Sequence, residues 1–143
     1  MPALVETAKL GAKAAKSGFD WPHWRDMLPK LTEETTELEV EATRAEENPS
    51  SSTHQERVEA ELGDLLFTVV NLGRHLGVDA EMALRGCNLR FRQRFRQMEG
   101  MSMRPLEELK PEELEALWVE AKRTLASEPT KISTSEAGSV AEP

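Results

Sequence analysis

Two acidic motifs in this sequence could do chemistry together. EETTE spans Glu33 to Glu37, and ELGD spans Glu61 to Asp64. Carboxylates serve general acid–base catalysis and bind hard cations, and acids spaced three apart share one face of a helix. The second motif opens an otherwise apolar run, ELGDLLFTVVNLGRHLG, of the kind a small protein buries. At ~100° per residue, Val58, Leu62, Leu65, Val69, Leu72 and Leu76 form one apolar stripe, and Leu66, Phe67 and Val70 carry apolar surface to the far side. One polar seam remains: Glu61, Asp64, Thr68, Asn71 and His75. A helix this apolar is covered on several sides, so the seam is a wet groove or a buried polar site.

The segment before it repeats the pattern. Leu28, Leu31, Thr35, Leu38, Ala42 and Ala45 form a core stripe, with Lys30, Glu34, Glu37 and Glu41 beside it. Two helices joined by a short link are antiparallel neighbours. Packed stripe to stripe, they bring Glu34, Glu37, Glu61 and Asp64 to one edge of the hairpin. Four carboxylates in one place repel, so either their pKa values rise or a cation joins them. An oxygen-only set without His or Cys suits Mg²⁺, with Mn²⁺ as a substitute, and Mg²⁺ commonly completes its shell with substrate phosphate oxygens. A solvated acidic face has the same spacing and, on spacing alone, is the commoner outcome. A di-iron bundle needs Glu three residues before His. Asp20, Ser51 and Leu72 precede His23, His54 and His75, so that use is excluded.

The elements needed to hold this hairpin are all helical. The periodicity predicts five helices: 3–16, 22–47 with a kink or restart at Pro29, a third ending near Leu76, about 80–100, and one from Pro111. Ser52 and Gln55 form a candidate capping box for the third helix, and Asp79 a cap for the fourth. Residues 1–126 are expected to form one all-α helical bundle around the hairpin. The tail 127–143, rich in Ser, Thr, Glu, Ala and Pro, is expected to be disordered. The net charge of −8 over 143 residues disfavours nucleic-acid polymers and anionic membranes as partners. Cys87 is the only cysteine, so there is no intrachain disulfide and no Cys-rich zinc site, which fits a cytoplasmic location. Apolar groups on opposite sides of the third helix predict at least a dimer.

Beyond spacing, the ordered set EETTE, ELGD, GFDWP (18–22), GDLLFTVVNLGRHLGVD (63–79), NLRFRQRF (88–95) and Trp118 with VEAK behind it resembles the catalytic C-terminal module of MazG-type nucleoside triphosphate pyrophosphohydrolases. The resemblance runs from about Leu10 to Arg123. It implies an all-α domain whose bundle is completed by homodimerisation. It implies Mg²⁺-dependent hydrolysis of a nucleoside triphosphate to the monophosphate and pyrophosphate. Glu34, Glu37, Glu61 and Asp64 then take the metal-ligand positions, and Glu33 is placed to orient or deprotonate the attacking water. Lys30, Arg57, Arg90 and Arg94 match positions near the nucleotide, Trp118 matches an aromatic there, and Asn88 is a candidate to cap or to bind. The family usually has Lys where Arg90 stands, and a guanidinium binds phosphate as a planar fork. A full MazG has two such modules, and one is present here. The rival from another class is a non-catalytic helical module that binds nucleotide or metal for regulation.

Overall fold

The computed structural model describes residues 1–127. It is helical throughout, with no strand among the described residues. The helices are α1 (Ala3–Lys16), α2 (Trp24–Glu47), α3 (Ser52–His75), α4 (Ala80–Met101) and α5 (Pro111–Ser127). A single 3₁₀ turn, Leu106–Glu108, lies between α4 and α5. Ser127 closes α5, and the rest of the expected tail lies outside the described residues. The chain divides into two compact units, 1–86 and from Cys87 on.

In the first unit α2 packs along α3, and α1 packs on α3. Each of α2 and α3 has 24 residues and is about 36 Å long. Residues 48–51 join them and can span at most about 14 Å, so the two helices must run in opposite directions. Both α1 and α3 end in the same hydrogen-bonded motif. Gly18 N–H donates to Ala15 O at 2.9 Å and Phe19 N–H to Ala14 O at 3.1 Å. Gly77 N–H donates to Arg74 O at 3.2 Å and Val78 N–H to Gly73 O at 2.8 Å. Gly18 (φ +82°) and Gly77 (φ +70°) supply the left-handed residue that this cap requires.

Three helix ends differ from the sequence expectation. α2 starts at Trp24 rather than Pro22, because His23 takes the cap position and its Nδ1 accepts from Arg25 N–H at 3.1 Å. Pro29 lies inside α2 without restarting it; so near the start, its missing N–H removes one intrahelical bond. Ser51, not Ser52, caps α3, and no side-chain cap bond forms there, so the predicted capping box is absent. Asp79 does cap α4, accepting from Met82 N–H at 3.1 Å.

The larger correction concerns which face is covered. On α2 the covered positions are Met27, Leu31, Glu34, Leu38, Glu41 and Ala45, while Leu28, Thr35 and Ala42 are exposed. Three of the six expected positions move back by one residue, which turns the covered face by about 50° toward the acids. On α3 most of the seam is covered: Glu61 and His75 are half-buried and Thr68 and Asn71 buried, while Asp64 is exposed. Leu62, Leu66, Phe67, Val69 and Leu76 of the apolar set are 41–50% exposed. The expectation assumed that the most apolar stripe faces the hairpin partner. In the fold most of the polar seam is covered, and the apolar stripe is split: Val58, Leu65 and Leu72 are half-buried, while Leu62, Val69 and Leu76 are exposed.

Candidate active site

Acids of α2 and α3 converge, on faces turned from those the stripe-to-stripe packing assumed. Carboxylate oxygens of Glu34, Glu61 and Asp64 lie within 4.8 Å of one another. Burial falls across the trio: Glu34 is buried, Glu61 half-buried and Asp64 exposed. Glu37 is exposed and lies outside the trio, but its carboxyl is close enough to that of Glu61 that this neighbour is the main reason its pKa is raised. Two carboxyl groups in such contact share a proton or need a cation between them.

Lys30 stands one turn before Glu34. Its Nζ lies 3.0 Å from Glu34 Oε1 and 3.4 Å from Glu33 Oε1. The bond to Glu34 pushes the ammonium pKa up, and Glu33 adds to this. Glu33 is exposed and is paired with Lys30, and its charge also adds to the raised pKa of Glu37. Arg57, one turn before Glu61, is exposed and makes no ion pair among the described residues.

The donor set fits a hard divalent cation. Glu34 Oε2 and Glu61 Oε2 are both buried, and neither has a hydrogen-bond partner. A buried acceptor without a partner costs about 1–3 kcal/mol, and more when charged. An ion held by oxygens of Glu34, Glu61 and Asp64 would remove that cost and the mutual repulsion together. Glu41, one turn beyond Glu37, also has a buried unpartnered oxygen, but Arg44 holds its other oxygen at 2.9 Å.

The second unit carries the remaining predicted residues. Phe91 stacks on Phe95 with centroids 5.9 Å apart and lies 5.4 Å from the Trp118 ring. The Arg94 guanidinium lies 5.8 Å from the centroid of Trp118. Arg90 and Arg94 line a concavity of about 260 Å³ with Gln93, Lys122, Leu125 and Ala126. Three cations therefore meet there without an acid in the lining, although the chain is acidic. Lys122 closes the VEAK segment behind Trp118 and is not among the residues expected near the nucleotide. It stands four residues after Trp118, one helical turn on, and that spacing was the available signal. Asn88 is exposed in the interior of α4, so it caps nothing; its carbonyl accepts from Arg92 Nε at 3.4 Å.

The MazG nucleotide pyrophosphohydrolase domain matches residues 24–98, which contain all five motif acids. The chain is 39% identical over 129 residues to the nucleoside triphosphate pyrophosphohydrolase of Escherichia coli K12, covering 86% of this chain and 46% of that protein. It is 38% identical over 125 residues to the nucleoside triphosphate pyrophosphohydrolase/pyrophosphatase MazG of Thermotoga maritima, covering 85% and 45%. The chain thus spans about half the length of the curated relatives it matches. A domain match over more than half of the chain, on the helices that carry the acid cluster, shows that the chain belongs to the MazG nucleotide pyrophosphohydrolase family.

Proposed function

We propose that this protein hydrolyses nucleoside triphosphates to the nucleoside monophosphate and pyrophosphate, with Mg²⁺ as its ion and Mn²⁺ as a substitute. The observation that carries this reading is the pair of buried, unpartnered oxygens on Glu34 and Glu61 inside a cluster of carboxylates. Glu34, Glu37, Glu61 and Asp64 are the ligands, with Glu37 at the exposed edge of the set. When bound, the ion neutralises and polarises phosphate oxygens, which is most of what phosphoryl chemistry asks of a site.

The side chains supply the rest. Glu33 orients the attacking water and takes its proton as the water oxygen bonds to phosphorus. The bond from that phosphorus to the bridging oxygen breaks, and pyrophosphate leaves. Lys30 keeps Glu33 and Glu34 in place. Arg57, Arg90 and Arg94 neutralise phosphate oxygens, Trp118 offers a ring face to the base, and Asn88 a polar contact. Lys122 belongs with Arg90 and Arg94.

The outward apolar residues Leu62, Leu66 and Val69 form the face on which a second copy of this chain docks to complete the bundle. Sedimentation should therefore give a species of at least twice 16.0 kDa; a single-chain species at micromolar concentration overturns the dimer. No described helix is long and apolar enough to cross a membrane, and the proposed location is the cytoplasm. The activity is tested with a panel of nucleoside triphosphates and Mg²⁺, following pyrophosphate against phosphate release. Pyrophosphate alone is expected. Binding without turnover across the panel would replace the enzyme with a binding module.

A further inference from the structure

The hairpin holds a second pair of orphaned polar atoms, apart from the acid cluster. Glu41 Oε2 and His54 Nδ1 are both buried, and neither has a hydrogen-bond partner among the described residues. Glu41 lies on α2 and His54 on α3. Helix geometry puts them together. Seven residues return a helix to nearly the same face, about 10.5 Å further along its axis. Glu41 is seven residues after Glu34, and His54 is seven residues before Glu61. In an antiparallel pair these are steps in the same direction, so Glu41 comes opposite His54 as Glu34 comes opposite Glu61. The same step the other way leads to Met27 and Thr68, which are both buried. Three successive layers of the hairpin thus keep one register.

The layer of Glu41 and His54 differs chemically from the acid cluster, because it joins a carboxylate to an imidazole. Arg44 Nη1 donates to Glu41 Oε1 at 2.9 Å, which leaves Oε2 as the buried, open atom. The other two histidines are engaged: His23 Nδ1 accepts from Arg25 N–H at 3.1 Å, and His75 Nε2 lies 2.9 Å from Asp20 Oδ1. Glu41 and His54 face each other without bonding, so whatever joins them must take a lone pair from each. A shared water and a divalent cation both do this. The surroundings favour the cation. Glu34, Glu37 and Glu61 stand one layer away, Arg44 is already held by Glu41, Arg57 is exposed, and the chain has a net charge of −8. The Glu41 side chain is 14% exposed and His54 is half-buried, so an ion there keeps water on its open side.

We infer that Glu41 Oε2 and His54 Nδ1 hold a second divalent ion at the loop end of the α2–α3 hairpin, of the imidazole-preferring transition-metal class represented by Zn²⁺. An imidazole nitrogen beside a carboxylate oxygen suits Zn²⁺, Co²⁺ or Ni²⁺ rather than Mg²⁺. The ion ties the last turns of α2 to the first turn of α3, where His54 is the third residue. It is separate from the ion of the acid cluster and does not depend on the proposed hydrolysis.

The test titrates Zn²⁺ into the full chain by calorimetry, with Mg²⁺ in excess to occupy the acid cluster, and reads Tm with and without Zn²⁺. About one Zn²⁺ per chain should bind and raise Tm by several degrees. His54→Ala and Glu41→Gln should each weaken that binding about tenfold or more and abolish the rise. Glu41→Gln keeps an oxygen for Arg44, so it decides the matter even if His54→Ala fails to fold. His23→Ala should leave the Zn²⁺-dependent rise unchanged, since its ring is engaged elsewhere. Zn²⁺ binding that survives Glu41→Gln within about threefold marks an adventitious ion only and overturns the inference. So does a wild type that binds no Zn²⁺ in excess Mg²⁺, which would leave the layer to a shared water. None of these readings uses nucleotide turnover, so a failure of the proposed function is seen separately.

Discussion

Glu61→Gln should move stability in opposite directions with and without metal. In chelator the wild type holds three carboxylates with oxygens within 4.8 Å of one another. Coulomb's law at that separation gives about 0.9 kcal/mol of repulsion per pair in a water-like dielectric, and about 3.5 kcal/mol at an effective value of 20. Neutralising Glu61 relieves its repulsion with Glu34 and with Asp64. Lys30, 3.0 Å from Glu34, already offsets part of the first, and Asp64 is exposed, so the low end applies. The new amide can also donate to an unpartnered carboxylate oxygen such as Glu34 Oε2. A gain of about 1–2 kcal/mol follows, or roughly 3–10 °C in Tm for a chain of this size. With Mg²⁺ at a hundred times its Kd the wild type should gain about 2.7 kcal/mol, while the variant, one ligand short, should gain little. The melting curves therefore exchange order between chelator and Mg²⁺. Differential scanning calorimetry in both buffers reads this without any activity measurement. A variant that melts below the wild type in chelator, or a wild type indifferent to Mg²⁺ and Mn²⁺, refutes the metal site.

Gly11→Ala should lower Tm by roughly 10 °C or more. The added Cβ collides with Asn71 Oδ1, and overpacking costs about 1–3 kcal/mol before the bond to Arg74 is counted; a shift under 2 °C in a thermal melt would show that α1 does not sit so closely. The pKa of Glu37 is raised by its neighbour Glu61, so the folded state takes up that proton at a pH where the unfolded chain does not. Acidification just above the ordinary carboxylate range therefore favours the metal-free fold. Because the ion must displace the proton, its stabilisation should shrink over the same range, and Glu37→Gln should remove the dependence; melts with and without Mg²⁺ from pH 7 to pH 5 check this. Glu33→Gln should keep calorimetric metal binding and lose about 10²-fold or more in kcat, the scale of general-base loss; wild-type kcat would remove only that role. A chain ending after Ser127 should keep its activity and Tm, since the segment beyond has few apolar residues to bury; a loss of several degrees would contradict this.

The sequence alone determined the helices and the partners on them. Three-and-four spacing is a property of one helix, so the membership of the stripe and the seam on α3 needed no tertiary knowledge. A link of a few residues fixed the antiparallel pairing of α2 with α3, and with it the meeting of Glu34, Glu61 and Asp64. The caps at Gly18, Gly77 and Asp79 were also local, because each is satisfied within a few residues. What only the tertiary structure decided is which way each face points. Hydropathy ranks Leu62 and Val69 above Glu61 and Thr68 for burial, yet the latter pair faces inward. The ranking treats burial as a property of a residue, whereas it belongs to the pair of surfaces that meet. The hydrogen bonds of Asp20 to α3 were likewise invisible. Its partners Arg74 and His75 stand 54 and 55 residues away, and no period links a turn to the end of a helix that α1 and α2 bring beside it.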